Sequence, residues 1–200
     1  MKHMNTPIRK SIFFIVPVLI SFTTVAVAAD STNGLRGISL SYCQNFTSTL
    51  FGLRAGYEHP FFITEKFSVY GGAAIAAHHK PDIYTTAEIS ISNTVRKTFP
   101  FGLLIEHGIR VGYLGCYYHF DLYELDDDNN IVNVGREWKS SVVGGYFIGT
   151  GYDFSKKTPL NLLFFVRTSL NLKIPNNDSY ALFHNHGIEA GITLYPKWLQ

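Results

Sequence analysis

The stretch Leu160-Asn-Leu-Leu-Phe-Phe-Val-Arg-Thr-Ser-Leu-Asn-Leu-Lys-Ile174 decides how this chain is read. Leu160, Leu162, Phe164, Val166, Thr168, Leu170, Leu172 and Ile174 fall on one face of a period-2 pattern. Asn161, Leu163, Phe165, Arg167, Ser169, Asn171 and Lys173 fall on the other, which turns polar from Arg167 onward. Alternation of this kind belongs to a strand, because successive strand side chains point to opposite faces. At about 3.3 Å per residue the stretch is ~50 Å long, well beyond an ordinary soluble strand of about five or six residues. A strand that long asks for an apolar medium on one side and a polar, filled interior on the other.

The same pattern recurs along the chain. Ile188, Ala190, Ile192 and Leu194 share a face against Glu189, Gly191, Thr193 and Tyr195. Phe51, Leu53, Ala55 and Tyr57 stand against Gly52, Arg54, Gly56 and Glu58. Charges therefore sit in mid-strand, at Arg54, Glu106, Arg110, Arg167 and Glu189. In a narrow barrel such residues point inward and pair. Helix signals are weak: the 17 glycines are spread throughout, and each costs a helix interior about 1 kcal/mol relative to Ala. Tyr, Phe, Ile, Val and Thr dominate between them, which suits a pleated surface.

Composition narrows the function classes. Of the 200 residues, 46% are hydrophobic, 15% aromatic and only 16% charged, against about 25% charged in an average soluble domain. A disordered chain needs high charge and few aromatics. A formal charge of +2 supplies no basic field for nucleic acid. Two cysteines are too few for a disulfide scaffold or a Cys-based zinc site.

Residues 1–29 read as a cleaved signal peptide. Lys2, Arg9 and Lys10 form a basic start, Ile12 to Phe22 an apolar run, and Ala26-Val27-Ala28 a small-x-small cleavage signal. The apolar run is short for a membrane span of about 20 residues. Removing this segment takes three basic residues and no acidic one, so residues 30–200 carry a formal charge near −1. An exported chain without a second long apolar run can cross a bilayer only as a closed barrel, since every backbone polar group needs an internal partner.

The predicted fold is therefore all-β, an eight-stranded antiparallel up-and-down transmembrane β-barrel over residues 30–200. The strand map runs 34–45, 50–59, 66–78, 97–107, 109–124, 132–153, 159–174 and 180–195. Residues 83–92 also alternate and read either as part of the fourth strand or as a hairpin arm within a loop over 79–96. His59 to Lys66 and Ser155 to Thr158 read as compact turns. Asp126, Asp127, Asp128, Asn129 and Asn130 read as a polar hairpin tip, and Pro175 to Asp178 as a second. The aromatics Tyr57, Phe67, Tyr70, Tyr113, Tyr146, Tyr152 and Tyr195 are candidates for interfacial girdles.

The signal segment, Phe51-Gly-Leu-Arg-Ala-Gly-Tyr57, Phe67-Ser-Val-Tyr-Gly-Gly72, Gly144-Gly-Tyr-Phe-Ile-Gly-Thr-Gly-Tyr-Asp153 and Gly187-Ile-Glu-Ala-Gly-Ile-Thr-Leu-Tyr195 give the chain a pattern that resembles the small bacterial outer-membrane β-barrel proteins of the OmpA/OmpX type. The resemblance covers most of the chain after the signal. It implies an outer-membrane location, short turns at one end of the barrel and longer loops at the other.

Few residues suggest chemistry. Arg54, Glu58, Arg110, Arg167 and Glu189 are expected to form a polar network in the barrel interior, either a charge-paired plug or a ligand path. An eight-stranded barrel leaves little lumen, which favours the plug. Asp126 to Asn130 do not match a calcium loop, which needs Gly at its sixth position where this chain has Ile131. They are expected to be an extracellular loop. His184 and His186 share a strand face and offer two imidazoles to a metal or a reaction, but no third ligand is evident nearby, so two boundary histidines remain the plainer reading. Lipid A deacylases of this shape place a His and a Ser close together on one strand. This chain has no His-x-Ser, and Ser179 is five residues from His184. His78 and His79 are read as opening a solvated loop. Cys43 and Cys116 are not neighbours on the strand map. No catalytic residue, metal site or cofactor is assigned.

The leading expectation is a monomeric, non-enzymatic outer-membrane barrel that contacts outer-membrane lipid with its wall and a surface protein or ligand with its loops. One alternative is a barrel enzyme that modifies outer-membrane lipid. Another is a soluble periplasmic barrel holding an apolar ligand, which would turn the aliphatic faces inward and Arg167 outward.

Overall fold

A computed structural model describes residues 35–45, 50–136, 138–157, 161–173 and 186–199. The signal segment, the 175–178 tip, Ser179 and His184 lie outside these residues. The strands are β1 (Gly37–Asn45), β2 (Leu50–Ile63), β3 (Ser68–Lys80), β4 (Tyr84–Thr98), β5 (Leu103–Tyr118), β6 (Leu122–Leu125), β7 (Ile131–Gly135), β8 (Trp138–Asp153), β9 (Leu162–Lys173) and β10 (His186–Leu194). Eight of them close into an antiparallel barrel in the order β1-β10-β9-β8-β5-β4-β3-β2. β6 and β7 form a separate hairpin between β5 and β8. The eight-stranded up-and-down barrel expected from the sequence is the fold observed.

The register sets the barrel's shape. The pairing runs from Arg96 on β4 through Glu106, Gly149, Arg167, Glu189, Cys43, Gly52 and His78, and returns to β4 at Thr86, ten residues from where it began. Eight strands with a stagger of ten residues tilt by about 40° from the barrel axis.

The barrel is inside-out relative to a soluble protein. Leu53 and Ile75 are 60% and 63% exposed on the outer wall, while Glu106 in the lumen is 0% exposed. Outward polar residues are few, and some bond within the wall: the Thr150 hydroxyl donates to the Leu104 carbonyl (2.9 Å) and the Tyr113 hydroxyl to Ser140 (2.6 Å). No helix among the described residues is long and apolar enough to cross a membrane.

Two apolar clusters occupy the two ends of the lumen. Leu104, Leu163, Phe165 and Tyr195 pack at the end that carries both termini. Leu50, Tyr84, Cys116, Tyr118 and Leu122 pack at the other. Turns at the terminal end are short, and the 119–137 excursion is at the opposite end.

Several boundaries differ from the sequence reading. Residues 79–96 are not a loop. They complete β3, turn at Pro81–Ile83, and form most of β4. The expected strands 97–107 and 109–124 are replaced by β4 and β5, which meet at a tight turn where Gly102 has φ +97° and its N–H donates to the Phe99 carbonyl. Gly108, the gap between the two expected strands, lies within β5, and it is glycine there because a side chain would meet Phe147 and the Asn93 carbonyl. Residues 122–135 form the β6–β7 hairpin and not extensions of barrel strands. Pro60 lies within β2 beside a register shift between Pro60 and Phe62, so the turn begins after Ile63. Such a bulge accommodates a residue that cannot donate to the ladder.

Candidate functional site

The lumen is built from inward positions of all eight strands. Arg54, Glu58, Arg110, Arg167 and Glu189, the five residues singled out from the sequence, all face it and are buried or nearly so. Arg96, Glu88 and Glu106 join them. The central network thus balances four arginines with four glutamates. Buried charges require this, because an unpaired ion in low dielectric costs several kcal/mol.

Two linked groups make up the network. In the half nearer the termini, Arg96 donates to both oxygens of Glu58 (3.0 and 3.1 Å) and, through Nε, to Glu106 Oε2 (3.0 Å). Arg167 Nε donates to Glu106 Oε1. Glu106 therefore holds one arginine with each oxygen. Tyr195 donates to Glu58 Oε1 at 2.6 Å and accepts from Arg96 Nη1 at 2.8 Å. The Arg96 guanidinium lies 4.5 Å from the centre of the Tyr70 ring. In the other half, Glu189 accepts from Ser41 (2.8 Å) and Arg110 (2.9 Å), and Arg54 donates to Glu88 (3.0 Å) and Ser90 (2.9 Å). Arg54 approaches Glu189 at 3.7 Å within this half, and Arg167, bonded to Glu106, approaches Glu189 at 3.6 Å and connects the halves.

Phe147 fills the centre. It is 2% exposed, with the guanidinium carbons of Arg167 and Arg110 at 5.2 and 5.5 Å from its ring centre. Arg167 also lies 4.0 Å from the ring centre of Phe165. These are cation–π distances. The lumen is filled by a charge-balanced network with an apolar cluster at each end, and a small cavity of about 40 Å³ remains beside Arg54, His78, Glu88, Arg110 and Glu189.

Tyr195 and Tyr70 were expected in an interfacial girdle but face the lumen. Parity explains both: Tyr195 shares the face of Glu189 on β10, and Tyr70 points to Arg96. Tyr57, Phe67, Tyr113 and Tyr146 are exposed on the outer side. Arg96 and Glu88 were missed because β4 was misplaced. Correct parity over 84–98 would have put both on the inner face.

The alternative with Arg167 outside is excluded, since Arg167 is in the lumen. His78 and His79 are strand residues, not a loop. His78 points inward and bonds Thr86 (3.2 Å), and His79 points outward and bonds Thr85 (3.0 Å). Cys43 and Cys116 are buried free thiols. His186 is exposed at the start of β10. No cluster of three potential metal ligands occurs among the described residues.

The hairpin tip Asp126 to Asn130 is ordered by its own carboxylate. Asp126 accepts from the backbone N–H groups of Asp128 (2.9 Å) and Asn130 (2.8 Å) and from the Asn130 side chain (3.2 Å). These bonds, those from Asn130 foremost, hold the Asp126 carboxyl below its ordinary value. Lower on the hairpin, Lys139 of β8 donates to Glu124 of β6 at 2.8 Å. Tyr123, Leu125 and Ile131 are exposed.

No family model matches the sequence, and no curated protein matches it. Solved structures do. Neisserial surface protein A is 12% identical with a TM-score of 0.49, over 80% of this chain and 94% of that one. The N-terminal β-barrel domain of Pseudomonas aeruginosa OprF is 16% identical, TM-score 0.43, over 80% and 95%. The outer membrane enzyme PagL is 14% identical, TM-score 0.45, over 78% and 96%. The fold assignment rests on the strand pairing described above.

Proposed function

We propose that this chain is an outer-membrane β-barrel protein, non-enzymatic, that is anchored by its barrel and acts through the loops and the β6–β7 hairpin at the end away from its termini. The observation that carries the reading is the inverted wall: aliphatic side chains face out over the same strands that bury four arginine–glutamate pairs inside. On β4 the outward positions from Thr85 to Lys97 span twelve residues. That is ~40 Å of strand and, at the tilt above, ~30 Å along the axis, the thickness of a hydrocarbon core.

The lumen supports anchoring and not transport. Eight strands give an interior that side chains can fill, and here Phe147, eight paired charges and two apolar clusters occupy it, leaving a cavity of only about 40 Å³. Function then belongs to what projects from the wall. The hairpin places Tyr123, Leu125 and Ile131 in the open, beside the Asp126 to Asn130 tip, where a surface partner or ligand can reach them.

Fractionation of expressing cells tests the reading. The protein should partition with outer membrane, migrate differently on gels before and after boiling, and be cut at the 126–130 tip by protease added to intact cells. Recovery as a soluble monomer in plain buffer would overturn it.

A further inference from the structure

The outer wall carries a feature that simple lipid solvation does not call for. On adjacent strands, Ala77, Ala87 and Gly115 are register partners, and Gly115 pairs with Ser140. Ala77 and Ala87 are the floor of a trough on the outer wall, with a volume of about 760 Å³, the size of a small-molecule site. Ile75, Ile89 and Tyr113, two residues further along each strand, wall it on the side of the barrel's middle. Trp138 walls the opposite side. Its ring lies over Gly115, where a Cβ would be 2.9 Å from Cζ3.

Directly beyond the trough, toward the loop end, stands a polar cluster. His79 of β3 and His119, just past β5, both bond the Thr85 hydroxyl of β4, each at 3.0 Å. Their ring centres are 5.6 Å apart. The His119 backbone N–H donates to the Ile83 carbonyl (2.8 Å), which fixes His119 beside the β3–β4 turn. Tyr117 contacts both His119 and Trp138. Each imidazole uses one ring nitrogen on Thr85. With neutral rings, the hydroxyl donates to one and accepts from the other, so one outer nitrogen is a donor and the other an acceptor.

We propose that this is a lipid site, in which an acyl chain lies in the trough over Ala77 and Ala87, against Trp138, and the lipid's phosphate is held by His79 and His119. It rests on the membrane reading above, which puts Thr85 at the boundary of the hydrocarbon band. There, a phosphate headgroup and its acyl chain meet the imidazoles and the trough together. The outer ring N–H donates to a phosphate oxygen, a hydrogen bond strengthened by the phosphate's charge. The small residues give the chain room to pack against the wall.

The chain's two tryptophans make the test direct. In a Trp198→Phe background, Trp138 is the only tryptophan. The full-length protein is folded in detergent and titrated with bromine-labelled lipids that share acyl chains, phosphatidic acid against phosphatidylcholine. Brominated phosphatidic acid should quench Trp138 at about tenfold lower mole fraction, the effect of a charge-assisted hydrogen bond. His79→Gln with His119→Gln should abolish the preference and leave quenching by either lipid. Ala87→Leu, which fills the floor, should weaken quenching by phosphatidic acid. Inorganic phosphate should not displace it. Equal quenching by the two lipids, a preference that survives loss of both histidines, or displacement by inorganic phosphate would each overturn the site. Failure of any lipid to quench Trp138 would instead overturn the membrane reading.

Discussion

The hydroxyl of Tyr195 donates to Glu58 at 2.6 Å and joins the end of the last barrel strand to the second strand through the lumen. The same hydroxyl accepts from Arg96, so three strands meet at one buried oxygen. Tyr195→Phe keeps the ring in its apolar cluster and removes this oxygen. Glu58 and Arg96 still bond each other through two contacts, which limits the loss. We expect the folded protein to lose about 1–3 kcal/mol, the cost of unsatisfying a buried polar group. Unfolding in denaturant, followed by the gel shift of the folded band, measures it. An unchanged midpoint would show that the contact carries no stability.

Glu106 is the most demanding position in the network. It is fully buried and accepts from Arg96 and Arg167, one on each oxygen. Glu106→Ala leaves two arginines against a cavity and an excess positive charge in the lumen. We expect a loss of about 3–5 kcal/mol, the penalty for breaking a buried pair. Glu106→Gln retains the shape and one acceptor, and should fall between wild type and Ala. Equal stability of all three variants would mean that water replaces the carboxylate.

Gly108 and Phe147 are a matched hole and knob. A Cβ at 108 would lie 2.6 Å from Phe147 Cζ and 2.1 Å from the Asn93 carbonyl oxygen. Gly108→Val should prevent the folded, heat-modifiable form from accumulating. Phe147→Ala should fold and cost about 3–5 kcal/mol. If Gly108→Val folds normally, the β4–β5 spacing is looser than the pairing implies.

Much of this barrel was legible in the sequence because alternation is a local property. Leu162 to Lys173 could be assigned to faces residue by residue, and Arg167 and Glu189 fell on the inner side by parity alone. The errors came where local signals mislead. Gly108 looked like a strand end, yet its missing side chain answers Phe147, which is 39 residues away and unseen until the strands pair. Phe99 to Gly102 was the true turn, but its aromatics read as strand. That slip hid Arg96 and Glu88. Aromatics suit the bilayer boundary, which makes Tyr195 look interfacial, whereas its inward parity follows from Glu189. The outer cluster of His79, Thr85 and His119 is dispersed over β3, β4 and the residue after β5, and has no signature along the chain.

The Asp126 tip gives a pH-dependent prediction. Asn130 and Asp128 hydrogen bonds lower the Asp126 pKa in the folded hairpin relative to the ordinary Asp value of about 3.9. A carboxyl whose folded value is depressed adds stability above its unfolded value and loses it as pH falls through the folded one. The tip should therefore be ordered at neutral pH and loosen only in acid, below the range in which an ordinary Asp titrates. Amide exchange, corrected for intrinsic rates, should show protection at Asp128 and Asn130 at pH 6 that declines toward pH 2. Asp126→Ala should remove that protection at every pH, with the barrel amides unchanged. Protection that persists in Asp126→Ala, or that is flat down to pH 2 in the wild type, would show that the backbone turn at Asn129, where φ is +62°, orders the tip without the carboxylate.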